Sequence, residues 1–380
     1  MRTAILALMM LASILCLGSM PAMCTEKTIT DMEGRMVTIS EPPERVVTAA
    51  YGSFVPCVMA AFGVGDKIIG SGGNIVSNST GLGNESSGTI LLPGLREKPD
   101  LGWGPKIKVE AAVALNPDLI ILEKDCAGQG DMVEGFNKII DQLQLFNKSF
   151  SSAVIKSAAC YTPITPDSVY TEIELLGEIF DKQDKAKEMT DFLKEEVDMV
   201  RQRTEGIAED DKPSVLLGAF YGAATTARLA QALPDYDCLT LYPNITKIKN
   251  IHSGPRASLS AEQFIALNPD VIIMYTGSNG KTPEDMYNDK DFKVLQSVNA
   301  FKNKRIYSVG RFELGRNHAG LEFPIEMLIE AKGVYPDRFK DINVGEQFTK
   351  HLKTIYGLND EQVKEFKKQM FLDWMDKEGF

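Results

Sequence analysis

Histidine is scarce in this chain, three residues in 380, which is too few to build a histidine-rich metal enzyme. The six cysteines include no Cys-x-x-Cys pair, so a thiolate zinc site or a dense disulfide scaffold is not expected. No Gly-x-Ser-x-Gly elbow is present, no His-Glu-x-x-His, and no Gly-x-Gly-x-x-Gly opening a helix after a strand, which removes the usual sequence marks of hydrolases, zinc peptidases and dinucleotide enzymes. Gly280-Lys281-Thr282 has the close of a phosphate loop, but the glycine required five positions earlier is Tyr275. Positive charge is also short: 41 Lys and Arg stand against 52 Asp and Glu, a net charge of −11. That balance argues against nucleic acid, whose phosphates are held by clustered Lys and Arg. What the chain does have is ordinary globular composition, 44% hydrophobic and 24% charged, and a length that suits two domains.

The first 24 residues differ in kind. Arg2 precedes an apolar run from Ala4 to Leu17, and small residues with a proline follow, the pattern of a secretory signal peptide. The run is shorter than the roughly 20 residues of a membrane span. Leu15 and Met23 precede Cys16 and Cys24, whereas lipid attachment wants a small residue there. The expectation is an exported protein, periplasmic or on the outer face of the cytoplasmic membrane, its leader either cleaved or kept as an anchor. Losing the leader and Arg2 takes the net charge from −11 to −12. Cys126 and Cys160 are one possible pair among Cys57, Cys126, Cys160 and Cys238, and spacing does not fix the connectivity.

An internal repeat organises the remainder. Glu110–Leu122 reads EAAVALNPDLIIL and Glu262–Met274 reads EQFIALNPDVIIM, 152 positions apart. Each predicts a short helix stopped at Asn-Pro and followed by a buried strand. A helix feeding a continuous apolar strand marks a parallel α/β sheet, and two copies predict two similar α/β lobes. In the first lobe (25–166), strands are expected at Arg45–Ala49 and Ile68–Gly70, with a helix running to Gly63. In the second (209–330), strands are expected at Val215–Phe220 and Arg305–Val309, with a helix-like run through Leu233. Residues 167–208 carry apolar positions at helical spacing and predict a long connecting helix, interrupted near Asp181–Asp184. Residues 331–380 are expected to form a helical tail.

Ligands of open parallel sheets sit beyond the carboxyl ends of the strands. The candidates are therefore Tyr51, Ser53, Trp103 and Lys124 in the first lobe, and Tyr221, Arg228, Arg256, Tyr275, Arg311 and Arg316 in the second. An exposed tryptophan offers a flat apolar face, and converging guanidinium groups in an acidic chain would suit an anionic ligand. His252 and His318 are the weaker candidates for direct metal contact.

Thr28–Val47 (TITDMEGRMVTISEPPERVV) resembles the opening of the ABC-importer solute-binding proteins that capture ferric siderophores, haem and cobalamin. The matches are Asp31, Gly34, Arg35, Val37, Pro43 and Arg45–Val47. The paired Glu…Asn-Pro-Asp segments, the connecting helix and the Ala331-Lys332…Tyr335-Pro336 ending are similar too, so the resemblance spans roughly residues 27–345. It implies two lobes bridged by a helix, a shallow cleft, limited closure, no enzymatic activity and no intrinsic cofactor. It also implies a monomer that delivers a metal chelate to a membrane permease driven by a cytoplasmic ATPase. A glutamate on each lobe of such proteins meets permease arginines, and the matching positions are Glu110 and Glu262. Trp103 and Arg256 precede those glutamates by seven and six residues, where family members carry ligand-contacting side chains. The expected function is the binding component of an importer for an iron chelate or corrinoid. The alternative is a surface, adhesion or sensor protein built on the same scaffold.

Overall fold

A computed structural model describes residues 25–49, 54–72, 87–102, 106–124, 130–145, 150–157, 160–161, 165–219, 230–232, 243–252, 257–275, 282–310 and 320–380. The chain opens with an antiparallel hairpin, β1 (Thr25–Thr30) and β2 (Met36–Glu41). Its turn explains the Asp-x-x-Gly-Arg pattern. Buried Asp31 accepts from the backbone N–H of Glu33 and Arg35 and from the Arg35 guanidinium, while Gly34 takes the left-handed conformation that suits glycine. Asp31 also accepts from the N–H of Val154 at 3.0 Å, pinning the hairpin to the first lobe.

That lobe is a four-stranded parallel sheet in the order β4-β3-β5-β6, made of β3 (Val46–Ala49), β4 (Ile68–Ser71), β5 (Leu119–Lys124) and β6 (Ser151–Lys156). Its helices are α1 (Phe54–Ala61), α2 (Ser87–Leu91), α3 (Val109–Ala114) and α4 (Gly130–Leu145). β5 is buried on both faces. Leu119 and Ile121 enter one core, Ile120 and Leu122 another, as the two-residue period of a strand requires.

The connector is two helices, α5 (Pro166–Phe180) and α6 (Gln183–Thr204), broken at left-handed Asp181 inside the expected interruption. α5 packs on α1, β2 and β6 of the first lobe. α6 is 22 residues long, about 33 Å at 1.5 Å per residue.

The second lobe holds β7 (Ser214–Ala219), β8 (Ala230–Ala232), α7 (Pro243–Thr246), β9 (Lys249–Asn250), β10 (Ala257–Leu259), α8 (Ala261–Leu267), β11 (Val271–Tyr275), α9 (Pro283–Asn288), α10 (Asn299–Lys302) and β12 (Ile306–Ser308). The strand order is β10-β8-β7-β11-β12, with β9 also on β7. β7, β11 and β12 run parallel, and β8 is antiparallel to β7 and β10. The helix-like run expected through Leu233 is corrected here, since its last residues form β8. The unpaired backbone of the β7 edge is satisfied by a strand and not by a helix.

The tail contributes α11 (Phe323–Val334), α12 (Val344–Tyr356), α13 (Asp360–Gln369) and α14 (Trp374–Glu378). One apolar core runs between the sheets. It joins Leu119 and Ile121 of β5 to Val271 and Ile273 of β11 through α5, α6, α11 and α12, and an outer core covers the far face of each sheet.

Candidate functional site

The repeat builds the same device in both lobes. Asn116 and Asn268 adopt left-handed backbone (φ 49° and 43°) and stop α3 and α8. Two residues on, Asp118 accepts from the N–H groups of Glu44 and Arg45 at 2.8 and 3.0 Å, at the entry to β3. Asp270 accepts from the N–H and hydroxyl of Ser214 at 3.1 and 2.8 Å, at the entry to β7. The Asn-Pro-Asp signature is thus a helix stop joined to a cap on the neighbouring strand.

Glu110 and Glu262 are both exposed and both occupy the second position of their helices, where a carboxylate meets the positive helix end. Their settings differ. Ser260 caps α8 in a reciprocal box with Gln263, and its hydroxyl donates to Glu262 at 2.8 Å. Backbone N–H donation and then Ser260 hold the Glu262 carboxyl below the usual range. Lys108 gives α3 no side-chain cap. Ile265, Leu267 and Val294 add exposed apolar surface around α8.

At the carboxyl ends of the sheets, Lys124 closes β5 and Tyr275 closes β11. Lys124 is buried, and its ammonium donates to Glu33 of the hairpin turn and to Asn137 of α4 at 2.9 Å each. Tyr275 is 1% exposed and donates its hydroxyl to Glu330 at 2.6 Å. Both are therefore held by internal partners. The half-buried His252 exchanges hydrogen bonds with Asn250 through its backbone. Tyr51, Ser53, Trp103, Tyr221, Arg228, Arg256, Arg311, Arg316 and His318 lie outside the described residues. Among the described residues no group of three or more His, Cys, Asp or Glu side chains is placed to hold a metal ion. Cys160 is disulfide-bonded, and Cys57 is a free buried thiol.

Aligning the repeats puts Glu123 opposite Tyr275, thirteen residues after each exposed glutamate. Glu123 is fully buried, and its charge adds to burial in pushing the Glu172 carboxyl of α5 well above the usual range. Glu322, Glu326 and Glu330 follow at four-residue spacing along α11 and its entry, one face of a helix. Burial lifts Glu330 to about 7 against the pull of the Tyr275 hydroxyl. Burial, followed by the charges of Glu330 and Glu322, also raises the carboxyl of the partly exposed Glu326 well above the usual range. Glu322 accepts from the Tyr356 hydroxyl at 2.6 Å. These carboxyls were missed in the sequence, although their spacing was visible there. What this region offers, among the described residues, is carboxyls raised by burial at Glu172, Glu326 and Glu330, together with the tyrosine hydroxyl donors of Tyr275 and Tyr356.

Residues 49–311 match the family model described as periplasmic binding protein. An uncharacterized ABC transporter substrate-binding lipoprotein, YvrC of Bacillus subtilis (strain 168), is 23% identical over 325 residues, covering 83% of this chain and 87% of its own. A periplasmic solute binding protein from Veillonella parvula DSM 2008 has a TM-score of 0.71 at 20% identity, with 94% of this chain and 100% of that one covered. The petrobactin-binding protein YclQ of Bacillus subtilis has a TM-score of 0.54 at 19% identity, with 82% and 99% covered.

Proposed function

The chain belongs to the periplasmic binding protein family, and we propose that within it the cargo is an iron chelate, a ferric siderophore or haem, or a corrinoid. As a member it is a binding protein and not an enzyme, the substrate-binding component of an ABC transporter. The single observation carrying the transport reading is the symmetric pair Glu110 and Glu262, exposed at the same helical position of two similar lobes. Two carboxylates so placed suit simultaneous docking on a membrane permease with basic groups facing each lobe. The signal-type leader expected at residues 1–24 and the lipoprotein relative both support an extracytoplasmic location.

For the ligand, the petrobactin-binding neighbour supports the siderophore class. Its contacts are assigned to the loops after the parallel strands. Tyr51, Trp103 and Tyr221 supply flat faces. Arg228, Arg256, Arg311 and Arg316 supply guanidinium groups for carboxylate, catecholate or propionate oxygens.

Fluorescence titration tests this reading. The chain has two tryptophans, and Trp374 is buried in the tail. Trp374→Phe therefore leaves Trp103 as the sole reporter. A ferric hydroxamate, a ferric catecholate, haem or cyanocobalamin should quench it at about micromolar concentration, which corresponds to roughly 8 kcal/mol of binding. Arg256→Glu should abolish the response to an anionic chelate. Silence from all four ligands, in fluorescence and in calorimetry of the parent protein, would reject the ligand class.

A further inference from the structure

We propose that residues 344–380 form a brace across the two lobes, holding them at one separation so that the cleft stands open to ligand before any ligand arrives. This segment lies outside the 49–311 family match, and the inference does not depend on the ligand class.

The segment touches both lobes and the connector. On the first lobe, α12 packs against α1 and α13 against α2. On the second, Tyr307 of β12 meets the Trp374 ring at 6.4 Å and the Phe380 ring at 5.2 Å between centroids, and those two rings lie 5.0 Å apart. The ammonium of Lys332 sits 4.8 Å above Phe380. Gly310, at φ 91°, lets the tail approach so closely that a Cβ there would stand 2.8 Å from the Met370 carbonyl and 2.9 Å from Leu372. On the connector, His351 Nδ1 is bonded to the Glu196 carboxylate of α6 at 2.8 Å, both buried, and Lys185 donates to the Thr354 carbonyl.

The segment is also locked on itself, as a part must be if it is to transmit force. The N–H groups of Val344 and Gly345 donate to the Phe380 carbonyl at 2.7 and 3.3 Å. The Lys367 ammonium, on a 3% exposed residue, donates to the Gly345 carbonyl at 2.7 Å and to Asp376 at 2.8 Å. Start, middle and end of the segment are thereby tied in one closed unit that leans on α1 and α2 at one side and β12 at the other. Changing the angle between the lobes requires the Tyr307–Trp374–Phe380 stack or the α12 and α13 packing to part. A two-lobed protein free to swing binds with its affinity reduced to the fraction of competent geometry, its dissociation constant being divided by that fraction. The brace removes that loss.

The experiment measures the distance between the lobes in the ligand-free, full-length protein. Spin labels on p-acetylphenylalanine at exposed positions 141 and 302 leave the native cysteines untouched, and double electron–electron resonance reads the distribution. The parent should show one narrow distance, and Trp374→Ala/Phe380→Ala one at least about twice as wide. A parent already broad, or a folded double variant as narrow as the parent, overturns the proposal. If the double variant does not fold, Tyr307→Ala removes the same stack from the other side, and a width equal to the parent's overturns the proposal equally. Hydrogen exchange on the unaltered protein is the check that needs no variant. Amides of α12 and α13 should be protected to within about tenfold of β5 and β11, and exchange faster by about a hundredfold or more would mean that they open independently and brace nothing.

Discussion

One kind of side chain does the same work twice in this molecule. Asp118 and Asp270 each follow a left-handed asparagine and a proline and cap the first strand of their sheet through its backbone N–H groups. Burial of Asp270 raises its carboxyl, but the Ser214 hydroxyl and N–H, the Asn299 amide and the charge of Arg305 outweigh it and hold the group below its usual value. Asp270→Asn or Asp118→Asn should lower stability by about 1–3 kcal/mol, since each leaves backbone donors short of a charged acceptor, and the denaturant midpoint reads it. Because the folded value of Asp270 is depressed, its contribution is present above the unfolded value near 3.9 and is lost as pH falls through the folded value. The Asn variant should lack that acid-dependent part of the stability. The repeat itself was legible in the sequence, because Asn-Pro-Asp between matched apolar flanks is rare. The role of its aspartate was not, because the partners Glu44 and Arg45 are more than seventy positions away. The same applies to Lys124. A cation after a strand reads as a ligand contact, yet Glu33, 91 positions earlier, folds over it.

Elements whose apolar period was long enough were legible: the two parallel sheets, the connector and its break, and the helical tail. The three-residue β8 was not, since Ala-Gln-Ala has no period of its own and takes its form from the β7 edge. The elbow of the connector depends on Gly177, where an added Cβ would lie 2.5 Å from that of Ala186 and 3.3 Å from the Lys182 carbonyl. Gly177→Ala should push α5 and α6 apart and destabilise by about 1–3 kcal/mol, seen as a lower thermal midpoint with both sheets intact by circular dichroism. The packing of α12 on α6 has a pH dependence of its own. Burial pushes the His351 imidazole down, but the Glu196 charge and hydrogen bond, the charge of Glu322 and the Leu321 carbonyl carry it above the ordinary value. With a raised folded value, the stabilisation is complete below the unfolded value of about 6.5 and fades as pH climbs through the folded one. His351→Gln should flatten stability against pH in that window. It should also lower the plateau at pH 6 by about 3–5 kcal/mol, because the buried Glu196 loses its counter-charge. A variant with the parent's pH profile would show that His351 is neutral throughout.

At the scale of the whole molecule, what matters is that two exposed carboxylates are carried on lobes joined by a shared core. In each lobe the glutamate is carried in the first turn of a short helix that feeds a core strand, and the core through α5, α6, α11 and α12 joins one lobe to the other. Two charges held at a set spacing engage a partner more strongly than either alone, provided the spacing matches, because the second contact forms without a further search. The two ends are not equal. Glu262 is oriented by Ser260 within a capping box and has exposed Ile265 three residues on, whereas α3 has no side-chain cap ahead of Glu110. Pre-orientation spares the ordering cost that a free side chain meets on binding, so the second lobe should contribute the larger share of docking. In a reconstituted importer whose ATPase is stimulated by this protein, Glu110→Ala and Glu262→Ala should each raise the half-stimulating concentration about two- to fivefold, as partly solvated ion pairs do, with Glu262→Ala the worse of the two. Ser260→Ala should reproduce part of the Glu262→Ala loss while leaving the charge in place. The double variant should show roughly the product of the single effects, because the two carboxylates lie on separate lobes and meet different groups of the permease. Equal stimulation by the parent and the double variant, each folded and binding ligand, would remove both carboxylates from the docking surface.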